Sequence, residues 1–168
     1  MKFHILLITS LLFSINSFSQ QQFVLKLPDV EKLNKRYNDD EGITDIIYLY
    51  LNKNYNSNSV KYAIQTDADF DNIECGFSRK FQSRILFTTY NCGEATPLIQ
   101  KITFPKTTIG SLQKWIELIH KASLPLDSKP TNNWKNQKEY NPEGGEAGCY
   151  YKIIETTTKS IVEVWCGC

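Results

Sequence analysis

Few residues of this sequence have the types and spacing for chemistry. They are five cysteines, one histidine well inside the chain, an acidic run and two loop carboxylates. Nucleophilic cysteine catalysis needs a base within hydrogen-bond reach. His4 lies in an N-terminal leader, which leaves His120. Helical projection puts His120 at the edge of an apolar stripe, about 40° beyond Ile116, where a histidine is expected to be structural. Zinc chemistry runs short of ligands for the same reason, and a cysteine-only site competes with oxidation. Asp67, Asp69, Asp71 and Glu74 are spaced like the opening of a calcium loop. That loop requires Gly at its sixth position and Glu at its twelfth, where this chain has Asn72 and Ser78. A solvated acidic turn is therefore expected. Glu143 and Glu146, in a glycine-bearing loop, are the carboxylates that glycoside hydrolysis would use. No phosphate-cradling loop and no Gly-x-Ser-x-Gly elbow is present. No metal and no cofactor is expected.

Trp165-Cys166-Gly167-Cys168 resembles the Trp-Cys-Gly-Pro-Cys motif of thioredoxin-like proteins. The resemblance implies thiol–disulfide exchange by Cys166 and Cys168. It departs from that motif in spacing its cysteines by one residue instead of two. No helix is expected to follow, so no helix N-terminus would lower a thiol pKa. Redox chemistry is thus a secondary reading.

The compartment follows from the N-terminus. Lys2, the apolar run Ile5–Phe13 and the small residues of Ser17-Phe18-Ser19 form the three parts of a secretory signal. The apolar run is about half of the roughly 20 residues a membrane span needs. Residues 1–19 are therefore expected to be removed, leaving 20–168 as a single exported domain, periplasmic or extracellular, with no membrane anchor. Removing Lys2 leaves 18 basic residues against 18 acidic ones. That balance gives no electrostatic reason to bind nucleic acid or an anionic membrane. Cys75, Cys92, Cys149, Cys166 and Cys168 all fall in the exported part, where disulfides are the default. The odd count leaves one thiol over or pairs it between chains.

The elements that would position these residues can be read from periodicity. Phe23, Leu25 and Leu27 alternate up to Pro28. Asp29 can cap a helix carrying Val30, Leu33 and Tyr37. Ile43, Ile46, Ile47 and Tyr50 predict a second, amphipathic helix. Val60, Tyr62 and Ile64 alternate, as do Leu98, Gln100, Ile102 and Phe104. Residues 73–81 and 85–91 are rich in aromatic and β-branched types, which predicts an antiparallel meander. Ile109, Leu112, Trp115, Ile116 and Ile119 give the clearest helical period. Residues 126–147 read as a polar loop, and residues 149–155 and 161–168 as a terminal hairpin. The expected fold is α+β: an antiparallel sheet of about five strands, a packed amphipathic helix and N-terminal helices, stapled by disulfides.

Parity decides which residues of a hairpin share a face. An even turn around Thr157-Thr158 puts Cys149, Tyr151, Ile153, Val162, Val164, Cys166 and Cys168 on one uncharged face. Cys149 then meets Cys166 in one register and Cys168 in the other. A turn at Ser83-Arg84 pairs Phe81 with Leu86 and Cys75 with Cys92, although either could instead link to the C-terminal strand. Trp134 and Tyr140 lie in the polar loop. Exposed, they would be anchors for a partner; the alternative is that they fold back over the hairpin.

These residues point to a non-enzymatic exported binding protein, an inhibitor or immunity-type protein whose partner is another exported protein. Trp134, Tyr140, Glu143 and Glu146 are its expected contact residues. A redox protein using Cys166 and Cys168, or a small hydrolase using loop carboxylates, are the alternatives.

Overall fold

The computed structural model describes residues 23–39, 45–67, 73–92, 97–145 and 147–167. Among these residues the fold has three helices and an eight-stranded antiparallel sheet. The segment 23–29 comes first and forms no strand, although its residues alternate. It is laid over the second helix instead. The Lys26 N–H donates to the Tyr55 hydroxyl at 3.0 Å, and the Tyr50 hydroxyl donates to the Lys26 carbonyl. Those two phenols satisfy a backbone that no strand pairs.

Helix α1 (Val30–Asp39) starts as expected at Asp29. The Asp29 carboxylate accepts from the Lys32 N–H at 3.2 Å, and its carbonyl accepts from Leu33 at 2.9 Å. Helix α2 (Ile46–Asn54) is capped by Asp45. Ile43 lies outside the described residues. The expectation of an amphipathic stripe is too narrow here: Ile46 through Leu51 are all buried. The reason is position. Tyr48 packs on Phe77 and Phe87 of the sheet at 5.2 and 5.4 Å between ring centres, while Tyr50 meets Trp115 of the third helix at 5.6 Å. A helix packed from several sides loses its polar face.

Strands β1 (Tyr62–Asp67), β2 (Ile73–Phe81), β3 (Ile85–Tyr90) and β4 (Leu98–Pro105) form a meander. Helix α3 (Ile109–Ser123) follows, its N-cap Thr108 accepting from the Ser111 N–H. Its predicted stripe is buried at Leu112, Trp115, Ile116 and Ile119. The Asn34 amide donates to the Ala122 and Leu124 carbonyls at 2.9 and 2.7 Å, so α1 terminates α3. Strands β5 (Asn132–Trp134), β6 (Glu139–Pro142), β7 (Gly148–Glu155) and β8 (Lys159–Gly167) complete the sheet. The order is β1-β2-β3-β4-β8-β7-β6-β5, because β8 returns to pair with β4.

The sheet therefore has eight strands where about five were expected. Two of the added strands come from the segment read as a polar loop, where residues 132–142 form the β5–β6 hairpin and extend the sheet beyond β7. Their polar composition hides the strands because only alternate residues, Asn132, Tyr140 and Pro142, are buried.

One expected register is off by one residue. Phe81 pairs with Ile85, not Leu86, across a three-residue turn, Gln82–Arg84. Ser83 and Arg84 adopt left-handed φ of 59° and 61° there. A one-residue slip exchanges the faces of a strand. Ile85, Phe87 and Thr89 consequently face the helices, and Leu86, Thr88 and Tyr90 face away. The terminal hairpin keeps its expected parity: Cys149 pairs with Cys166, Tyr151 with Val164 and Ile153 with Val162.

Two disulfides close the sheet, Cys75–Cys92 and Cys149–Cys166. Both sit at one end of it. Cys149 lies opposite Cys166, Cys166 opposite Leu98, and the Asn91 N–H donates to the Cys75 carbonyl at 2.9 Å. Cys168 lies outside the described residues.

Candidate binding surface

The residues with chemical potential do not converge. Trp134 and Tyr140 pair across β5 and β6 and turn inward, the second of the two alternatives the sequence leaves open for them, so they are not the exposed contact residues of the first. Tyr140 is 5% exposed, and the two ring centres are 5.0 Å apart. The indole Nε1 donates to Glu117 of α3 at 2.9 Å. The aromatic pair fixes the added hairpin to the helix layer. Glu143 is exposed in the turn after β6, and Glu146 lies outside the described residues. Of the acidic run, Asp69 and Asp71 also lie outside them, while Asp67 ends β1 and Glu74 lies in β2. Cys166 is bonded to Cys149, so its sulfur is not joined to Cys168. Among the described residues no group of three His, Cys, Asp or Glu side chains could hold a metal ion. No helix there is long and apolar enough to cross a membrane.

His120 is 5% exposed and sits edge-on to Tyr140 and Tyr151, with ring centres 5.6 and 5.9 Å away. Neither ring nitrogen has a protein hydrogen-bond partner among the described residues. Desolvation lowers its pKa, which keeps the imidazole neutral. Asp45 shows the opposite response. Its carboxylate accepts from the Ile47 and Tyr48 N–H groups at 2.9 and 3.0 Å and from the Gln100 amide. Burial still pushes its pKa up to about 6, because desolvation outweighs those three hydrogen bonds. Both groups are built into the helix–sheet interface.

The other face of the sheet has a different character. The side chains that α2 and α3 contact all belong to one parity of the strands, so the opposite parity faces away from the helices. Register aligns that outer face into rows. One row runs Tyr90, Ile99, Trp165, Tyr150 across β3, β4, β8 and β7. All four side chains are half-buried. Gly76 continues the row on β2, where a Cβ would lie 2.9 Å from the Cβ of Tyr90. Glycine is what lets Tyr90 settle there. A parallel row runs Thr88, Lys101, Glu163, Lys152, Glu139, so charge alternates strand by strand. Lys101 and Glu163 form an ion pair at 3.3 Å. A third row carries Leu86, Thr103, Ile161 and Ile154. Between the first two rows lies a depression of about 420 Å³, lined by Trp165, Tyr150, Lys152, Glu139 and Asn141 together with Tyr151.

No protein-family model, curated protein or solved structure matches the chain. The reading of this surface rests on its own geometry. Parity of the terminal hairpin already separates Tyr150, Lys152, Ile154, Ile161, Glu163 and Trp165 from the core face in the sequence. Tyr90 and Leu86 were legible only with the correct turn length between β2 and β3. The left-handed pair Ser83-Arg84 gives no glycine signal for it.

Proposed function

We propose that this chain is an exported, non-enzymatic binding protein that engages another exported protein through the outer face of its sheet. The observation that carries this reading is the row Tyr90, Ile99, Trp165, Tyr150, an aromatic and aliphatic band on the face turned away from all three helices. Tryptophan and tyrosine are the residues most often found at the energetic centre of protein interfaces. The alternating charges beside them supply the polar rim such a centre needs. Two disulfides suit a non-reducing compartment and stiffen the platform. The non-enzymatic part is supported by what surrounds the reactive types. Four cysteines are oxidised in pairs, His120 faces two tyrosines, and Glu143 stands in an exposed turn.

Comparative capture tests the reading. The mature protein and a Tyr90→Ser/Trp165→Ser variant, matched for melting temperature and near-UV circular dichroism, are offered the exported proteins of the producing cells. The expected result is a protein retained by the wild type that, once purified, binds the variant at least tenfold more weakly. Equal binding by both overturns the proposal.

A further inference from the structure

The row of charges on the outer face has a symmetry of its own. Read across β4, β8, β7 and β6 it is Lys101, Glu163, Lys152, Glu139. Reversed, this order exchanges every positive charge for a negative one. A two-fold axis running nearly along the strands, between β8 and β7, performs that reversal when two such faces meet. Strand β8 of one copy then covers β7 of the other, and β4 covers β6. Glu163 meets Lys152 of the second copy, and Lys101 meets its Glu139. The operation leaves height along the strands unchanged, so the neighbouring rows are matched as well. Trp165 falls on Tyr150 and Ile161 on Ile154, each contact made twice. An isologous interface demands this self-complementarity, and aligned face-to-face packing is a standard way for two sheets to meet.

We infer that the occupant of the outer face is a second copy of this chain, forming a symmetric sheet-on-sheet dimer about that axis. The inference rests on the proposed use of the outer face as a protein-binding surface and puts a second copy of this chain where that reading has another exported protein. The charge row sets the register and the orientation, because a copy shifted by one strand would bring like charges together. The apolar rows on either side are what the contact removes from water.

The test is sedimentation velocity on the mature, disulfide-intact protein and its charge-reversed variants. The wild type is expected to sediment as a dimer. Lys152→Glu alone and Glu163→Lys alone each place like charges across the axis twice, and each should weaken dimerisation at least tenfold. An equimolar mixture of the two variants restores opposite charges across the axis and should recover the dimer as a heterodimer. The double variant K152E/E163K should dimerise like the wild type. Should either single variant fail to fold, Lys101→Glu and Glu139→Lys probe the same axis at its outer contacts. A wild type that stays monomeric at hundreds of micromolar overturns the inference, as does a dimer that neither reversal disturbs. A monomer whose capture of a different exported protein still depends on Trp165 sinks the dimer and leaves the proposed function standing. A monomer with no such dependence sinks both.

Discussion

At the scale of single residues, Asp45 and His120 tie stability to pH with opposite signs. The carboxyl of Asp45 has an ordinary value of 3.8 and rises to about 6 in the fold. As pH climbs between those values, the unfolded chain releases its proton first, so unfolding becomes easier. The stability difference is fully present below about pH 4 and is lost by about pH 6, amounting to about 3 kcal/mol. His120 works the other way. Its pKa is lowered from 6.5, so its contribution is complete above that value and is lost as pH falls through the folded one. Asp45→Asn separates the two. Asparagine keeps the oxygen that caps Ile47 and Tyr48, and the Gln100 amide can turn its carbonyl toward the new donor. Urea titrations from pH 4 to 7 should show the downward slope in the wild type largely removed in the variant. An unchanged slope would mean that the Asp45 carboxyl titrates alike in both states.

At the scale of elements, the disulfides act on pairs of strands. Each joins positions 17 apart in sequence. A loop of that length restricts the unfolded chain by about 3 kcal/mol in the entropic picture. Replacing Cys149 and Cys166 together by serine should therefore lower unfolding free energy by roughly that amount, with the β7–β8 register intact. Denaturant titration combined with hydrogen exchange on Tyr151 and Val164 checks both parts. If exchange protection vanishes while the rest of the sheet stays protected, the bridge is what holds the hairpin in register. The elements also show where sequence is informative. Helix α3, the Asp29 cap and the terminal hairpin follow from period, cap chemistry and parity, all local rules. The β5–β6 hairpin does not, because its burial comes from α3 through Glu117 and Trp134 and from the neighbouring strand β7. The register of β2 on β3 hangs on two left-handed residues, Ser83 and Arg84, whose types do not announce them.

At the scale of the whole molecule, the legible part was the α+β layering and the disulfide staples, since these depend on alternation and cysteine spacing. The outer face was legible by halves. Its β7 and β8 residues could be sorted from the terminal hairpin alone. The β3 and β4 residues that complete each row needed the long-range pairing of β4 with β8, which no local pattern encodes. Tyr90 joined the row only once the turn length was known.

Both covalent links sit at the same end of the sheet, each spanning a hairpin whose turn lies at the opposite end. Such a molecule can survive being cut. A protease that severs the chain between Thr156 and Lys159 opens a turn, yet Cys149–Cys166 still joins the two pieces. A cut at Gln82–Arg84 is bridged by Cys75–Cys92 in the same way. Limited digestion should therefore give a species of full-length mobility on a non-reducing gel that falls into two fragments with reductant. The eight-stranded platform would outlast the continuity of its own backbone.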